Sequence, residues 1–232
     1  MSSAAQPRPL ALVFDLDGVL LHSAPCHNRA FQEVFKRFGI RDFDYGPYAG
    51  WRTADVVESV LRGAGLEPAP QLIAELAAEK SRRAREELRA ANPVTPGGIP
   101  VLEQLSRNYR LALASSGSRE SIALFLSTNR CAKLFQSILC GEDVSHAKPH
   151  PEIYLRTFET LDIAPRTALV VEDAIAGIQS ARAAGAGAVI GVEGTCSASQ
   201  LSGAGASGVI RAVSDLPRFL CDAYDNAVST EN

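Results

Sequence analysis

The chain has 232 residues, 46% of them hydrophobic, and 23 Lys and Arg against 26 Asp and Glu give a formal net charge of −3. That length allows one large domain or a core domain with a smaller insert, and the apolar content is ample for a packed core. A mildly acidic balance argues against a nucleic-acid-binding or anionic-membrane surface. The five cysteines (Cys26, Cys131, Cys140, Cys196 and Cys221) are odd in number and scattered, with no CxxC pair. Neither a disulfide framework nor a zinc centre is expected from them, and free thiols in a reducing cytoplasm are the simplest reading. No apolar segment has the length to span a bilayer or serve as a signal region.

The first predicted element is a strand over Leu10 to Phe14, which runs into Asp15, Leu16, Asp17 and Gly18. Period-two alternation puts Asp15 and Asp17 on one side and Leu16 on the other. Two carboxylates at the carboxyl end of a strand can hold a hard divalent cation, or one can attack while the other moves protons. A strand ending in an Asp–Gly turn reads the segment equally well on its own.

Residues 23–91 read as helical. Ala30, Phe31, Val34, Phe35 and Phe38 follow helical spacing and Gly39 closes the element. A helix over Thr53 to Leu61 places Val56, Val57 and Val60 inward, and another runs from about Ala69 to Arg89. Its charged second half, with Glu79 and Arg83 four apart, reads as a solvated face. Strands and helices then alternate: helix Ile99 to Asn108, strand Arg110 to Ala114, helix Arg119 to Leu126, strand Phe135 to Cys140, helix Pro151 to Thr160, strand Ala168 to Val171. Helix Ala174 to Ala184 closes at Gly185, and strands Ala188 to Val192 and Gly208 to Ile210 complete the series.

Repeated strand–helix units imply an α/β fold: a Rossmann-like parallel sheet core with a small all-helical cap inserted after the first strand. The expected boundaries are 1–21 and 93–232 for the core and 22–92 for the cap. The connections near Leu21–Ser23 and Ala91–Thr95 are short enough to act as a hinge pair. Open parallel sheets bind ligands beyond the carboxyl ends of their strands. Those ends carry Asp15 and Asp17, then Ser115, Ser116 and Gly117, then Lys148, then Glu172 and Asp173. Singly each has a plain reading: Ser115 as a helix cap, Lys148 as a surface lysine, Glu172 and Asp173 as caps of the next helix. Together they supply what metal-assisted phosphoryl transfer needs, which is oxygen ligands for Mg²⁺, a lysine against the phosphate charge, and hydroxyl and backbone N–H donors for its oxygens.

These residues resemble the haloacid dehalogenase superfamily of phosphohydrolases. FDLDG is similar to its first motif, Ser115 in LALASS to its second, Lys148 in AKPHPE to its third and VVEDAIAG to its fourth, and the likeness runs from about Leu10 to Leu216, including GIQSARAAGA and GVEGT. The resemblance implies Asp15 as nucleophile and Asp17 as proton donor and then base. It implies Asp173, with Glu172, Asp15 and the Asp17 carbonyl, as holder of Mg²⁺, and Ser115 and Lys148 as phosphate ligands beside Ser116 and Gly117. The inserted helices resemble the cap of the subgroup that contains beta-phosphoglucomutase, phosphoglycolate phosphatase and sugar-phosphate phosphatases. His27 and Lys80 fall where beta-phosphoglucomutase-like proteins carry cap or hinge residues that assist catalysis, although His27 also reads as a helix-surface residue.

The chain departs from that pattern in places. His22 stands where an acid is usual, Arg52 in YAGWRTADV is one place before the position of a mutase's second-phosphate arginine, and Thr53 occupies that place. This favours a phosphatase over a mutase. Trp51 either stacks on substrate or packs between cap and core, and His150 either reaches the substrate phosphate or caps a turn. A signal-receiver domain would carry its acid after a later strand, and a dinucleotide fold would need GxGxxG where DLDG stands. DLDG also fails the EF-hand spacing. Dehalogenation needs no metal acids, and a phosphonate-cleaving Schiff base would have to use Lys80 or Lys36. The expected function is a Mg²⁺-dependent phosphoric monoester hydrolase acting on a small phosphorylated metabolite, a sugar or polyol phosphate. A beta-phosphoglucomutase-like mutase and a non-catalytic binding member are the alternatives. A cytoplasmic monomer, with a dimer as the alternative, and no nucleic-acid or membrane partner complete the expectation.

Overall fold

In a computed structural model, residues 8–225 are described; 1–7 and 226–232, the outer ends of the expected core segments, lie outside them. Six strands form one sheet in the order β3-β2-β1-β4-β5-β6: β1 (Ala11–Phe14), β2 (Arg110–Ala114), β3 (Ser137–Leu139), β4 (Ala168–Glu172), β5 (Ala188–Val192) and β6 (Gly208–Ile210). Every pairing is parallel, and Val13 at the centre sits between Ala112 and Val170. A strand buried on both faces needs apolar residues at every position, and the first strand's apolar run satisfies that.

The pleat sorts the core into two layers. Leu12, Phe14, Leu111, Leu113, Leu169 and Val171 face one side with Leu102, Phe125 and Leu216. Ala11, Val13, Ala112, Ala114, Ala168 and Val170 face the other with Tyr154, Phe158, Ile178 and Leu201. The first layer is covered by α4 (Gly98–Leu105), α5 (Arg119–Thr128) and α9 (Leu216–Leu220), and the second by α6 (Glu152–Thr160), α7 (Ile175–Ala183) and α8 (Ala198–Gly203). Alanines on the second face let α6 and α7 lie close to the sheet. Each fully buried Leu, Phe or Val contributes about 1.5–3 kcal/mol of transfer free energy.

Between β1 and α4 the chain builds the cap region from α1 (Ala24–Phe35), α2 (Thr53–Gly63) and α3 (Pro70–Ala91). The cap has its own core, in which Phe31, Val34, Phe35 and Phe43 meet Val56, Val57, Leu61 and Leu76. The two connections to the sheet run side by side. Leu21 and Val94 form an antiparallel bridge, the His22 N–H donates to the Pro93 carbonyl at 2.8 Å and the Thr95 N–H to that of Leu20 at 3.0 Å.

Several elements differ from their sequence-based bounds for local reasons. α1 begins at Ala24, with Pro25 in the first turn where its missing N–H costs nothing. It ends at Phe35 in a tighter turn that closes at Gly39, whose φ of 76° suits glycine. α4 stops at Leu105, short of Asn108. β3 stops short of Cys140, whose N–H leaves the ladder for the Asp143 carboxylate at 2.9 Å, and starts after Phe135, which closes the preceding turn. α8 and α9 were not anticipated. Cys26, Cys131 and Cys140 are buried free thiols, whereas Cys221 is exposed. Among the described residues no helix is long and apolar enough to cross a membrane.

Candidate active site

β1 ends at Phe14, and the Asp15 N–H still reaches across to the Val171 carbonyl at 3.0 Å. The chain then folds back, with the Leu16 carbonyl accepting the N–H groups of Leu20 and Leu21 at 2.9 and 3.0 Å. Asp17 therefore sits on a turn and not in the strand. The turn, and not the pleat, brings its carboxylate to the cavity that Asp15 also lines. Gly18 makes the turn with a φ of 81°, and a Cβ there would lie 1.7 Å from Asp173 Oδ2. Only glycine allows the fourth strand's acid to come this close.

Asp15, Glu172 and Asp173 are all buried, with carboxylate oxygens within 4.8 Å of one another. Lys148 enters from the loop after β3, and its ammonium donates to Asp15 Oδ1 at 2.7 Å, Glu172 Oε1 at 2.7 Å and the Ala114 carbonyl at 3.1 Å. Tyr154 donates its hydroxyl to Glu172 Oε1 at 2.6 Å, and Glu172 Oε2 accepts the Asp173 N–H at 3.1 Å. The Thr195 hydroxyl donates to Asp173 Oδ2. Gly177 makes room for this, since a Cβ there would lie 1.9 Å from Glu172 Oε1.

The charges do not balance: three carboxylates face one ammonium. Burial, joined by Glu172 and Asp17 and opposed by Lys148, pushes the Asp15 carboxyl up to about 7. Burial, then the charges of Glu172 and Asp15, push Asp173 well above the usual carboxylate range. Lys148 goes the other way. Burial disfavours its charge, but Asp15 and Glu172 outweigh that and hold it firmly protonated. An all-oxygen donor set with surplus negative charge in a dry site fits a hard divalent cation.

Asp17 belongs to a second network. Its Oδ1 is 3.1 Å from His27 Nε2, and His27 Nδ1 is 2.9 Å from Lys80 Nζ. A charged ammonium can only donate, so Nδ1 accepts and Nε2 carries the hydrogen toward Asp17. Lys80 also sits 4.2 Å above the Phe31 ring. Burial opposes ionisation of Asp17, yet His27, Ser23 and Lys80 outweigh it and hold the carboxyl at about 2. Burial brings Lys80 down to about 8 and, with the Lys80 charge, keeps His27 below its ordinary value. His27 is thus buried between hinge and cap, not on a helix surface.

Ser115 and Gly117 form the donor side. The Ser115 Oγ accepts the Gly117 N–H at 3.0 Å, and the Ser116 hydroxyl crosses to the cap and donates to the Gly50 carbonyl at 2.8 Å. An inner cavity of about 30 Å³ is lined by Asp15, Asp17, His27, Lys80, Ser115, Ser116, Gly117 and Trp51 among others. An outer cleft of about 440 Å³ shares Thr53, Ser116 and Gly117 with it and continues between cap and core past Arg52, Ser81, Arg85 and Glu120.

Trp51 stands edge-on to Tyr48 at 5.7 Å and remains 39% exposed. Arg52 points its Nη2 at the Val144 carbonyl at 3.2 Å, with its Nε buried and unpartnered. His150 is not brought to the site. It is exposed, lines neither cavity, and takes the Glu152 N–H on Nδ1 at 3.3 Å, so its ring lies on the outer side of the turn that delivers Lys148. Three contributors escaped the sequence reading. Thr195 lies in the quoted GVEGT turn but carried no assigned role. Tyr154 stands at an ordinary core position of α6. Tyr45, which lines the inner cavity, lies in an irregular stretch with no periodic signal.

Residues 12–191 match the family described as haloacid dehalogenase-like hydrolase. The chain is 32% identical over 186 residues to a validoxylamine A 7'-phosphate phosphatase of Streptomyces hygroscopicus subsp. limoneus, covering 75% of this chain and 81% of that protein. It is 30% identical over 191 residues to the fructose-1-phosphate phosphatase YqaB of Escherichia coli strain K12, covering 78% and 96%. Among solved structures, a CbbY variant of Rhodobacter sphaeroides in complex with xylulose-(1,5)bisphosphate superposes with a TM-score of 0.76 at 26% identity, covering 90% of this chain and 96% of that one.

Proposed function

The chain belongs to the haloacid dehalogenase-like hydrolases, and from that premise we propose that it is a Mg²⁺-dependent phosphatase of a small phosphorylated sugar or polyol, working through an aspartyl-phosphate on Asp15. One observation carries the reading. Asp15 stands at a strand end with Lys148 on its Oδ1, two further buried acids beside it, and Ser115 and Gly117 lining the same cavity.

In this reading a free Asp15 oxygen attacks phosphorus in line, and the bond from phosphorus to the substrate oxygen breaks. Asp17 gives that oxygen its proton. A carboxyl held at about 2 is ionised near neutrality and has no proton to give, so it must first take one up from solvent. Arrival of the phosphoryl charge and loosening of the His27 contact both raise its proton affinity. In the second step Asp17 takes a proton from water as it attacks the aspartyl-phosphate, the bond to Asp15 breaks, and inorganic phosphate leaves. Lys148, held by Glu172 and the Ala114 carbonyl, stays charged and offsets the growing negative charge. The Ser115 hydroxyl and the Gly117 N–H are the donors for phosphoryl oxygens. Mg²⁺ would be held by Asp15, Asp173 and the Asp17 carbonyl with support from Glu172, and would neutralise and orient the phosphoryl oxygens.

The inner cavity has room for the reacting group alone, and the outer cleft is large enough for a polyhydroxy remainder entering past Thr53. The named substrates of the two phosphatase relatives are phosphorylated polyhydroxy compounds, which supports that class. A mutase must grip a second phosphate firmly, whereas Arg52 is turned toward a core carbonyl, so hydrolysis is favoured. The test is a Mg²⁺-dependent phosphate-release screen over hexose, pentose, polyol and glycolate phosphates. Conversion of beta-glucose 1-phosphate to glucose 6-phosphate is followed in parallel with a bisphosphate activator. Phosphate release from at least one sugar or polyol phosphate is expected. Efficient isomerisation with little release would replace the phosphatase by a mutase, and silence in both assays from folded protein would leave a binding role.

A further inference from the structure

The turn that delivers Lys148 carries a second set of metal-binding side chains on its solvent side. His146, His150 and Glu152 alternate with Lys148 along the chain; the lysine is buried, and the two histidines are exposed. Donor atoms of the three lie within 4.8 Å of one another, and the imidazole centroids are 4.4 Å apart. They are half of the four histidines in the chain, so the juxtaposition uses a scarce residue twice within one turn.

The arrangement is held by the protein itself. Glu152 Oε1 accepts the Ser145 N–H at 3.0 Å and pairs with Arg156 at 2.8 Å, and Oε2 accepts the His146 N–H at 2.9 Å. The same Oε2 lies 3.0 Å from His146 Nδ1. With the ring proton on Nε2, the Nδ1 lone pair and Oε2 face one another, so a single ion can take the place of the hydrogen between them. The backbone of His150 is fixed from α7, where the Ser180 hydroxyl donates to its carbonyl at 2.7 Å. Only the weak 3.3 Å contact of His150 Nδ1 must be given up if that ring is to turn its tautomer toward an ion.

We propose that His146, His150 and Glu152 form a surface site for a divalent transition-metal ion of the zinc class, separate from the acid cluster and independent of the phosphatase reading. Imidazole donors favour Zn²⁺, Cu²⁺ or Ni²⁺ over Mg²⁺, while the all-carboxylate cluster has the opposite taste. Two imidazoles and one carboxylate leave a fourth position of a tetrahedral ion to water. An ion here would tie the two ends of the turn around Lys148 without touching the reacting atoms.

The test is calorimetric titration of untagged full-length protein with Zn²⁺ in excess Mg²⁺, which keeps the acid cluster filled. The wild type is expected to take up one Zn²⁺. The double variant His146→Gln/His150→Gln should bind it about tenfold or more weakly, with an unchanged circular dichroism spectrum because both rings are exposed. Asp173→Asn, which damages the other cluster, should leave the uptake intact. Equal Zn²⁺ affinity in wild type and double variant, loss of uptake in Asp173→Asn, or no uptake by the wild type would each overturn the assignment.

Discussion

On the sheet side of the site, Asp15, Ser115 and Asp173 stand just beyond strand ends and Lys148 on the loop after β3, none more than 5% exposed. On the cap side, Trp51 and Arg52 stand on the irregular stretch before α2; Trp51 is 39% exposed, and Arg52 reaches the opposite wall only through its side chain. The sheet side is tied down by ladder hydrogen bonds and buried charge, so its groups have one place to be. The cap side can be altered without disturbing the ladder. His27 and Lys80 cross that division. They come from cap helices, yet they are 8% and 4% exposed; His27 bonds to Asp17, and Lys80 reaches it through His27. The cap thus contributes two kinds of residue, one buried and hydrogen-bonded into the Asp17 network and one at the more open mouth of the cavity.

The contrast is most sharply broken or upheld at Asp15. Asp15→Asn should lower turnover by about four orders of magnitude or more while leaving the melting temperature unchanged or raised, since it removes a buried ionisable group. Appreciable steady-state phosphate release from that variant would end the covalent scheme. Asp173→Asn should act through the metal, raising the Mg²⁺ needed for half-maximal rate about tenfold or more; an unchanged Mg²⁺ titration would remove Asp173 from the ligand set.

Lys80→Met tests the residues that cross the division. Its rate should fall about 10- to 100-fold, as when a proton-transfer network loses a member. Its stability should move the other way. Lys80 has a folded-state value of about 8 against an ordinary 10.5, so the unfolded chain binds its proton more tightly and the wild type is penalised wherever that lysine is charged. The penalty is fully present below pH 8, up to about 3 kcal/mol, and fades as pH rises toward 10.5. Thermal melts at pH 7 and pH 10 should therefore show the variant ahead at the lower pH, with the gap closing at the higher one. A gap that widens with pH would contradict the burial of this ammonium.

The smallest effects are expected at Arg52. Arg52→Ala should raise KM about three- to tenfold with kcat nearly unchanged, and shift stability by no more than about 0.5 kcal/mol. A collapse of kcat comparable to that of Asp15→Asn would erase the distinction between the two sides.

Much of the sheet side was legible in the chain because a strand buried on both faces is a continuous apolar run, and polar residues just past such runs stand out. Ser115, Glu172 and Asp173 were found in this way, and Lys148 from its place in the segment between the third predicted strand and the next helix. The expectation that Asp15 and Asp17 share a side met the structure for a different reason, since a back-folded turn and the small volume of Gly18 do what the pleat was expected to do. The Asp17–His27–Lys80 chain joins residues far apart in sequence; helical spacing does put His27 on the apolar face with Ala30, Phe31 and Val34, but nothing local points to its two partners. Tyr154 was invisible because a core aromatic on α6 has the same periodicity whether or not its hydroxyl has a task. α8 did carry a signal, the Ser197–Gln200 capping box, which the short helix behind it made easy to pass over. Of the two readings of His150, the structure shows the turn cap, with the Glu152 N–H on its Nδ1, because adjacency to Lys148 in sequence says nothing about direction: neighbours along a turn can face opposite ways.

The bridge between Leu21 and Val94 has a consequence of another kind. The chain leaves the sheet and returns to it at one point, so to the core the whole lid is no more than a long hairpin connection. The folding of β1 against β2 and β4 does not wait on threading the lid through anything. Lids of other lengths or selectivities can be exchanged at this single junction with the sheet order intact. A peptide bond cut anywhere within the inserted helices would still leave both stumps stitched together beside β1.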